Sequence, residues 1–357
     1  MPTKSIQSAD RTTETSHEPL LDAVERAPGF SRLRRAASRP RGADIVSLDN
    51  ETLAFIGKLA ATASKPRHLM TPDEARAAFA RIGTILSAGA DVRATISLDI
   101  PVDGGSLRAR LFMPDEGPQA LLVYFHGGGW VVGGIDEFTP LCREIAAGAG
   151  VAVALVEYRK APEHPFPGPV FDAWQATRWL VAQQAALFGT TLPVIVGGDS
   201  AGANLAIAVT LHARREETVS FAGQLLVYPV TDCRFDRPSY LAADNQLLTS
   251  RDAMMWYWNH YAPTDADRHS SLASPLREAD LSRLPEAIVV TAEHDVLRDE
   301  GEAYAQRLVQ AGVPVHHLRA AGQMHGFLMM IGVLPGSRAG LSFICEHLRI
   351  LAARASH

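Results

Sequence analysis

The rhythm of apolar positions changes twice along the chain. Residues 1–19 are polar and read as a disordered tail. From 20 to 91 the apolar residues fall at helical spacing. "SLDNETLAFIGKLAATA" offers Ser47 or Asp49 as a start signal, and "TPDEARAAFARIGTIL" opens on Thr71-Pro72 with acids in its first turn. At 94 the period drops to two. "ATISLDI" (94–100) and "LRARLFM" (107–113) alternate around the turn "PVDGGS". Short, continuously apolar runs follow at 120–125, 151–156, 192–197, 223–228, 286–292 and 314–320, as in strands covered on both faces. Helix-like segments at 138–149, 170–188, 201–216, 299–311 and 338–353 separate most of them. This alternation predicts an α/β fold with a mostly parallel sheet of about eight strands and helices on both faces. The stretch 231–274 is too long for a simple crossover and carries the aromatic helix "RDAMMWYWNHYA" (251–262). It reads as an insertion over the sheet's edge, packed against the N-terminal helices. The expected division is a tail (1–19), a helical segment (20–92), and an α/β domain (93–230 and 275–357) interrupted by the insertion.

Composition narrows the class. With 47% hydrophobic and 20% charged residues and a net charge of −5, the 357-residue chain is an ordinary globule with no signature of nucleic-acid binding. The basic run "RLRRAASRPRG" (32–42) reads as a solvated surface. Cys142, Cys233 and Cys345 form no C-x-x-C pair, so neither a zinc site nor a disulfide framework is implied. They are expected as buried free thiols in a reducing compartment. The opening "MPTKSIQSADRTTETSHEP" lacks an apolar signal core, and no run approaches a membrane span. The expectation is a cytoplasmic protein with no stable membrane insertion.

Candidate chemistry begins at "VIVGGDSAGANLA" (194–206), a strand that turns abruptly into a helix at Ser200. Such a corner strains its central residue and crowds the positions two before and two after it. That is why G-x-S-x-G needs glycines, and why the hydroxyl stands at a helix N-terminus that favours negative charge. The plainer reading is a glycine-rich turn with a serine N-cap. Chance supplies roughly 0.1 matches to three such positions in a chain this long. The motif therefore needs partners, and three other loops follow strand ends. "YFHGGGWVVGG" (124–134) lets successive N–H groups face one point, and it fits neither a P-loop nor G-x-G-x-x-G. "TAEHDVLRDEG" (291–301) offers Glu293, Asp295, Asp299 and Glu300, the last two explained by an acidic first helical turn. "AAGQMHGFLMM" (320–330) reads as a loop carrying His325. Of the other histidines, His316 and His317 fall inside a strand and His347 on a helix. The order Ser200, Asp295, His325, preceded by a glycine-rich anion trap, is that of a nucleophile, acid and base on an α/β sheet.

"HGGGW", "YRKAPEHPFP" (158–167), "GDSAG", "YP" (228–229), "DVLRDEG" and "HGF" occur in that order over about 93–350. In these segments the chain resembles the hormone-sensitive-lipase-like α/β-hydrolases, the bacterial family IV carboxylesterases. Val296, where proline is common, and Lys160, where leucine is common, depart from the family pattern away from the chemistry. The resemblance implies Ser200 as nucleophile, His325 as general base and acid, and Asp295 as the carboxylate orienting it. It implies an oxyanion hole from Gly128, Gly129 and Ala201, and a helical cap from 20–92 and 231–274. Trp130, Asp199, Met255, Trp258 and Phe327 are candidate substrate contacts. Tyr158, Arg159 and Glu163 read as braces for the loop beneath the site. The implied activity is hydrolysis of short- to medium-chain acyl or aryl esters through an acyl-enzyme, on a small-molecule substrate, with no cofactor and no metal. An amidase, a lipase and a non-catalytic small-molecule receptor of the same fold remain open alternatives, and a homodimer is compatible with the resemblance.

Overall fold

The computed structural model describes residues 47–62, 65–217 and 219–355. The expected tail and the basic run 32–42 lie outside these residues. Two helices come first: α1 (Asn50–Thr62) and α2 (Pro72–Gly83). Thr71 and Glu74 form a reciprocal capping box at the start of α2. The elements then run β1 (Ala94–Val102), β2 (Gly105–Met113), β3 (Leu121–Phe125), α3 (Ile135–Ala149), β4 (Ala152–Val156), α4 (Gly168–Ala182), α5 (Gln184–Phe188), β5 (Val194–Asp199), α6 (Ala201–Glu216) and β6 (Gly223–Val227). The insertion carries α7 (Pro238–Leu241), α8 (Arg251–Tyr261) and α9 (Asp265–His269). It is followed by β7 (Ala287–His294), α10 (Arg298–Gln310), β8 (Val315–Met324) and α11 (Pro335–Ala355).

The eight strands form one sheet in the order β1-β2-β4-β3-β5-β6-β7-β8. The β1/β2 and β2/β4 pairs are antiparallel and all others parallel. This is the α/β-hydrolase fold. Side chains alternate between two cores, as a pleated strand requires. Leu121, Val123 and Phe125 of β3 join Val194 and Val196 of β5 on the face covered by α4, α6 and α10. Leu122, Tyr124 and Ile195 face the opposite core, under α3 and α11, which also takes Phe55 and Ile56 of α1.

Two boundaries and one packing contact differ from expectation. The helix expected over 170–188 breaks at Gln183, whose φ of −90° and ψ of 1° leave the helical region. The amide oxygen of the next residue, Gln184, accepts the Leu192 N–H at 2.5 Å, tying α5 back to the start of β5. Residues 321–324, expected in a loop, extend β8. A bulge between Ala292 and His294 lets His294 pair with Met324. The insertion helix α8 meets the N-terminal segment at the 3-10 turn Arg67–Leu69 rather than along α1 or α2.

The topology positions the site. From β3 the chain crosses to β4 on one side, and from β5 it crosses to β6 on the other. The two adjacent strands thus part company at their carboxyl ends, opening the crevice where open α/β sheets bind ligands.

Candidate active site

Ser200 occupies the corner between β5 and α6 at φ 55° and ψ −117°, a conformation L-residues seldom adopt. Its N–H is tied to the Val227 carbonyl at 2.8 Å, which holds the strained turn in place. The flanking glycines are steric necessities. A Cβ on Gly198 would stand 2.5 Å from the Gly202 carbonyl carbon, and one on Gly202 would overlap the Phe125 carbonyl oxygen.

The bulge register explains how the histidine and the acid meet. Because His294 pairs with Met324, the next residues, Asp295 and His325, leave adjacent strands side by side. Asp295 Oδ2 lies 2.7 Å from His325 Nδ1, and His325 Nε2 lies 3.0 Å from Ser200 Oγ. The other oxygen, Asp295 Oδ1, accepts the Leu297 N–H at 2.9 Å, which fixes the carboxylate's rotation. Asn245, from the insertion, donates to the Asp295 carbonyl at 3.1 Å. The Tyr228 ring packs against the imidazole with centroids 4.6 Å apart. The rival acids are engaged elsewhere. Glu293 accepts the Gly322 N–H, Asp299 the Ser239 N–H and Glu300 the Thr231 N–H, at 2.7, 2.7 and 2.8 Å.

The glycine loop after β3 is braced from several sides. Asp199 Oδ1 accepts both the Gly127 N–H (2.9 Å) and the Tyr124 hydroxyl (3.0 Å). Burial pushes the Asp199 carboxyl up to about 7, against the pull of those two bonds and of His325. His126 is stacked between Phe138 and Tyr158, and burial pushes it down to about 3, which keeps it neutral. The Tyr158 hydroxyl donates to the His126 carbonyl at 2.9 Å. Arg159 pairs with buried Asp172, and Glu163 pairs with Arg76 of α2, which also holds the Val131 and Ala161 carbonyls. At φ 111° and 59°, Gly128 and Gly129 turn the chain so that only glycine fits, and a Cβ on Gly129 would enter the Tyr257 ring. Among the described residues the N–H groups of Gly128 and Gly129 have no hydrogen-bond partner. The Ala201 N–H opens α6, where no intrahelical acceptor is available.

Above Ser200 lies a cleft that is open to solvent. Its apolar lining comes from α2 (Phe79, Ile82), the insertion (Leu248, Met254, Tyr257) and the segment after β8 (Met329, Met330). Gly128, Gly129, Asp199, His325 and Arg67 also line it.

The geometry sets four of the candidate substrate contacts apart from the cleft. Trp130, Met255, Trp258 and Phe327 are not in the lining. Trp130 is fully buried, stacked on Tyr261 at 3.9 Å and edge-on to Trp258 at 5.2 Å. Phe327 is buried against Tyr228, and Met255 is 36% exposed on the outer side of α8. Met254 and Tyr257 take the places assigned to Met255 and Trp258. One residue of helix is a rotation of about 100°, and apolar side chains on every side of α8 hid its phase. The sequence reading also missed Arg67, which no motif marks. Among the described residues no helix is long and apolar enough to cross a membrane, and no cluster of three metal-ligating side chains occurs.

A strained serine between strand and helix, a glycine loop beside it and this strand order define an α/β hydrolase. The family model described as "alpha/beta hydrolase fold" matches residues 122–329. An ethyl acetate hydrolase of Pseudomonas putida is 38% identical over 293 residues, covering 80% of this chain and 92% of that one. The carboxylic ester hydrolase LipN of Mycobacterium tuberculosis is 39% identical over 268 residues, covering 72% and 70%. The hyperthermophilic esterase of the archaeon Pyrobaculum calidifontis superposes with a TM-score of 0.81 at 34% identity, over 86% of this chain and 99% of that one. The chain belongs to the α/β-hydrolase family, in its hormone-sensitive-lipase-like branch of carboxylesterases. It is a carboxylic ester hydrolase.

Proposed function

We propose that the chain hydrolyses short- to medium-chain carboxylic esters through a Ser200–His325–Asp295 triad and an acyl-enzyme. The observation that carries this reading is the hydrogen-bonded series from Asp295 through His325 to Ser200 at the floor of the cleft. Ser200 attacks the ester carbonyl while His325 Nε2 takes its proton. Asp295 holds the imidazole in the tautomer that accepts there and stabilises the cation that forms. The oxyanion turns toward the N–H groups of Gly128, Gly129 and Ala201, which have no competing acceptor among the described residues. His325 then protonates the departing alcohol. The bond between carbonyl carbon and alcohol oxygen breaks, leaving the acyl group on Ser200. Water, deprotonated by the same imidazole, releases the acid and restores the serine.

The cleft supports the substrate class. Its apolar wall suits a hydrocarbon chain, each buried methylene contributing about 0.8 kcal/mol. The Pseudomonas putida relative is named for an acetyl ester, in line with a short acyl group.

The test is a series of p-nitrophenyl esters from acetyl to palmitoyl, with Ser200→Ala as the blank. Efficiency rises from acetyl toward butyryl and octanoyl and then falls. The Ser200→Ala variant loses about 10⁶ in kcat while its melting temperature holds. More than a tenth of the activity left in that variant would remove Ser200 from its role. A maximum at palmitoyl would overturn the bounded acyl pocket.

A further inference from the structure

We infer that Arg67 makes this cleft selective for esters that carry a second, anionic group: half-esters of dicarboxylic acids or acylated hydroxy acids. The inference deepens the proposed function, because it rests on the reading of the cleft above Ser200 as the substrate site.

Arg67 sits in the 3-10 turn between α1 and α2 and lines the cleft. It has no ion pair among the described residues. The other arginines of the N-terminal half that approach a site-bearing loop are compensated: Arg76 by Glu163, Arg110 by Asp136, and Arg159 by Asp172. Arg67 uses only Nη1, which donates to the Ala75 carbonyl at 2.6 Å and touches Met70 Sδ at 3.9 Å. That bond anchors the guanidinium, and among the described residues Nε and Nη2 have no hydrogen-bond partner. The charge reaches inward, pulling down the pKa of Tyr257, which burial otherwise raises.

The rest of the lining cannot answer this charge. Its only other ionisable groups, besides Tyr257, are Asp199 and His325. Asp199 is committed to Tyr124 and Gly127, and His325 to Ser200 and Asp295. Phe79, Ile82, Leu248, Met254, Met329 and Met330 present hydrocarbon and sulfur. A fixed guanidinium facing an apolar cleft is a poor neighbour for a neutral chain and a good one for a carboxylate. The planar fork can meet two oxygens at once, and the low-polarity surround strengthens the contact. The cleft is open to solvent, so the anion-bearing end of a substrate can extend from Ser200 past Arg67 without being enclosed.

The test compares two matched pairs in wild-type enzyme, Arg67→Met and Arg67→Lys. Monomethyl glutarate is set against methyl 5-methylhexanoate, and 4-acetoxybutanoate against 4-methylpentyl acetate. In each pair an isopropyl end replaces the carboxylate, once on the acyl side and once on the alcohol side. Acid release gives kcat/KM, and the readout is the anionic-to-neutral ratio. In at least one pair that ratio falls about tenfold in Arg67→Met and returns only in part in Arg67→Lys, which keeps the charge but not the fork. The same ratio in wild-type enzyme drops as salt is raised, which a merely structural arginine would not produce. If the ratio changes less than about threefold in both pairs, and is insensitive to salt, the inference is wrong. Should Arg67→Met not fold, Arg67→Gln and the wild-type salt dependence decide. Folded wild-type enzyme inert toward all four esters would instead sink the proposed function, and this inference with it.

Discussion

Replacing Asp295 by asparagine tests the proposed triad more sharply than removing the serine. The two carboxylate oxygens have different duties: Oδ1 accepts the Leu297 N–H at 2.9 Å and Oδ2 faces His325 Nδ1 at 2.7 Å. The side chain is fully buried, so neither duty passes to water. An asparagine must keep its carbonyl toward the Leu297 N–H, since turning the amide round would set two donors against each other. The NH2 group then faces Nδ1. The imidazole can meet it only as an acceptor, which moves the ring proton to Nε2. That nitrogen now points a hydrogen at Ser200 Oγ instead of a lone pair, and the base is lost with almost no change in shape. The expected fall in kcat is about 10⁴, the scale set by a misplaced tautomer. Glu293→Gln and Asp299→Asn, which sit outside the series and accept the backbone N–H groups of Gly322 and Ser239, cost far less. The assay is steady-state hydrolysis of p-nitrophenyl butyrate, with circular dichroism to confirm the fold. A loss below tenfold would refute the tautomer argument, and a larger loss in Glu293→Gln would move the acid to that position.

Two further outcomes follow from neighbouring contacts. Gly202→Ala drives a methyl into the Phe125 carbonyl and should cost several kcal/mol or abolish folding, read by thermal denaturation, and a wild-type melting curve would contradict the packing. Burial raises the Asp199 carboxyl from 3.8 to about 7, so the folded state holds its proton more tightly. Its contribution to stability is therefore full below the unfolded value and lost as pH rises through the folded one. Asp199→Asn, which keeps an acceptor for Tyr124 and Gly127, should gain in melting temperature over wild type more at pH 8 than at pH 4, and an equal gain at both would count against the raised ionisation.

The sheet was legible because strand interiors such as 121–125 and 194–199 must be apolar on both faces, and helices must intervene between parallel strands. The corner at Ser200 and the loop at 126–129 were legible because their backbones tolerate almost nothing but glycine. What stayed hidden depended on non-local pairing. The extension of β8 rests on a bulge that no residue of 320–324 announces. The brace from Tyr124 to Asp199 joins residues 75 positions apart, and Asn245 reaches Asp295 over 50. Arg67 was hidden for another reason: one arginine in a polar stretch looks like any solvated charge until the fold carries it over the cleft.

The phase of α8 is the clearest instance, and it can be tested directly. Spacing alone allowed Met255 and Trp258 as a pair facing substrate, three residues apart on one side of a helix. Met254 and Tyr257 have the same spacing one position earlier, and they line the cleft. The choice between the pairs is made from outside the helix. Trp258 is locked edge-on to Trp130, while the Tyr257 ring lies in the space a Gly129 side chain would fill. Met254→Ala therefore removes the thioether from the cleft wall and opens room for roughly two or three methylenes, at about 0.8 kcal/mol each. The preferred acyl length in a p-nitrophenyl ester series should move up by about that many carbons, with a stability loss of about 2 kcal/mol or more for the emptied wall. Met255→Ala, on the outer side of α8, should leave the length profile where it is. If Met255→Ala shifts the profile and Met254→Ala does not, the substrate meets the face of α8 that the sequence pattern first suggested, and the cleft above Ser200 is lined differently when occupied.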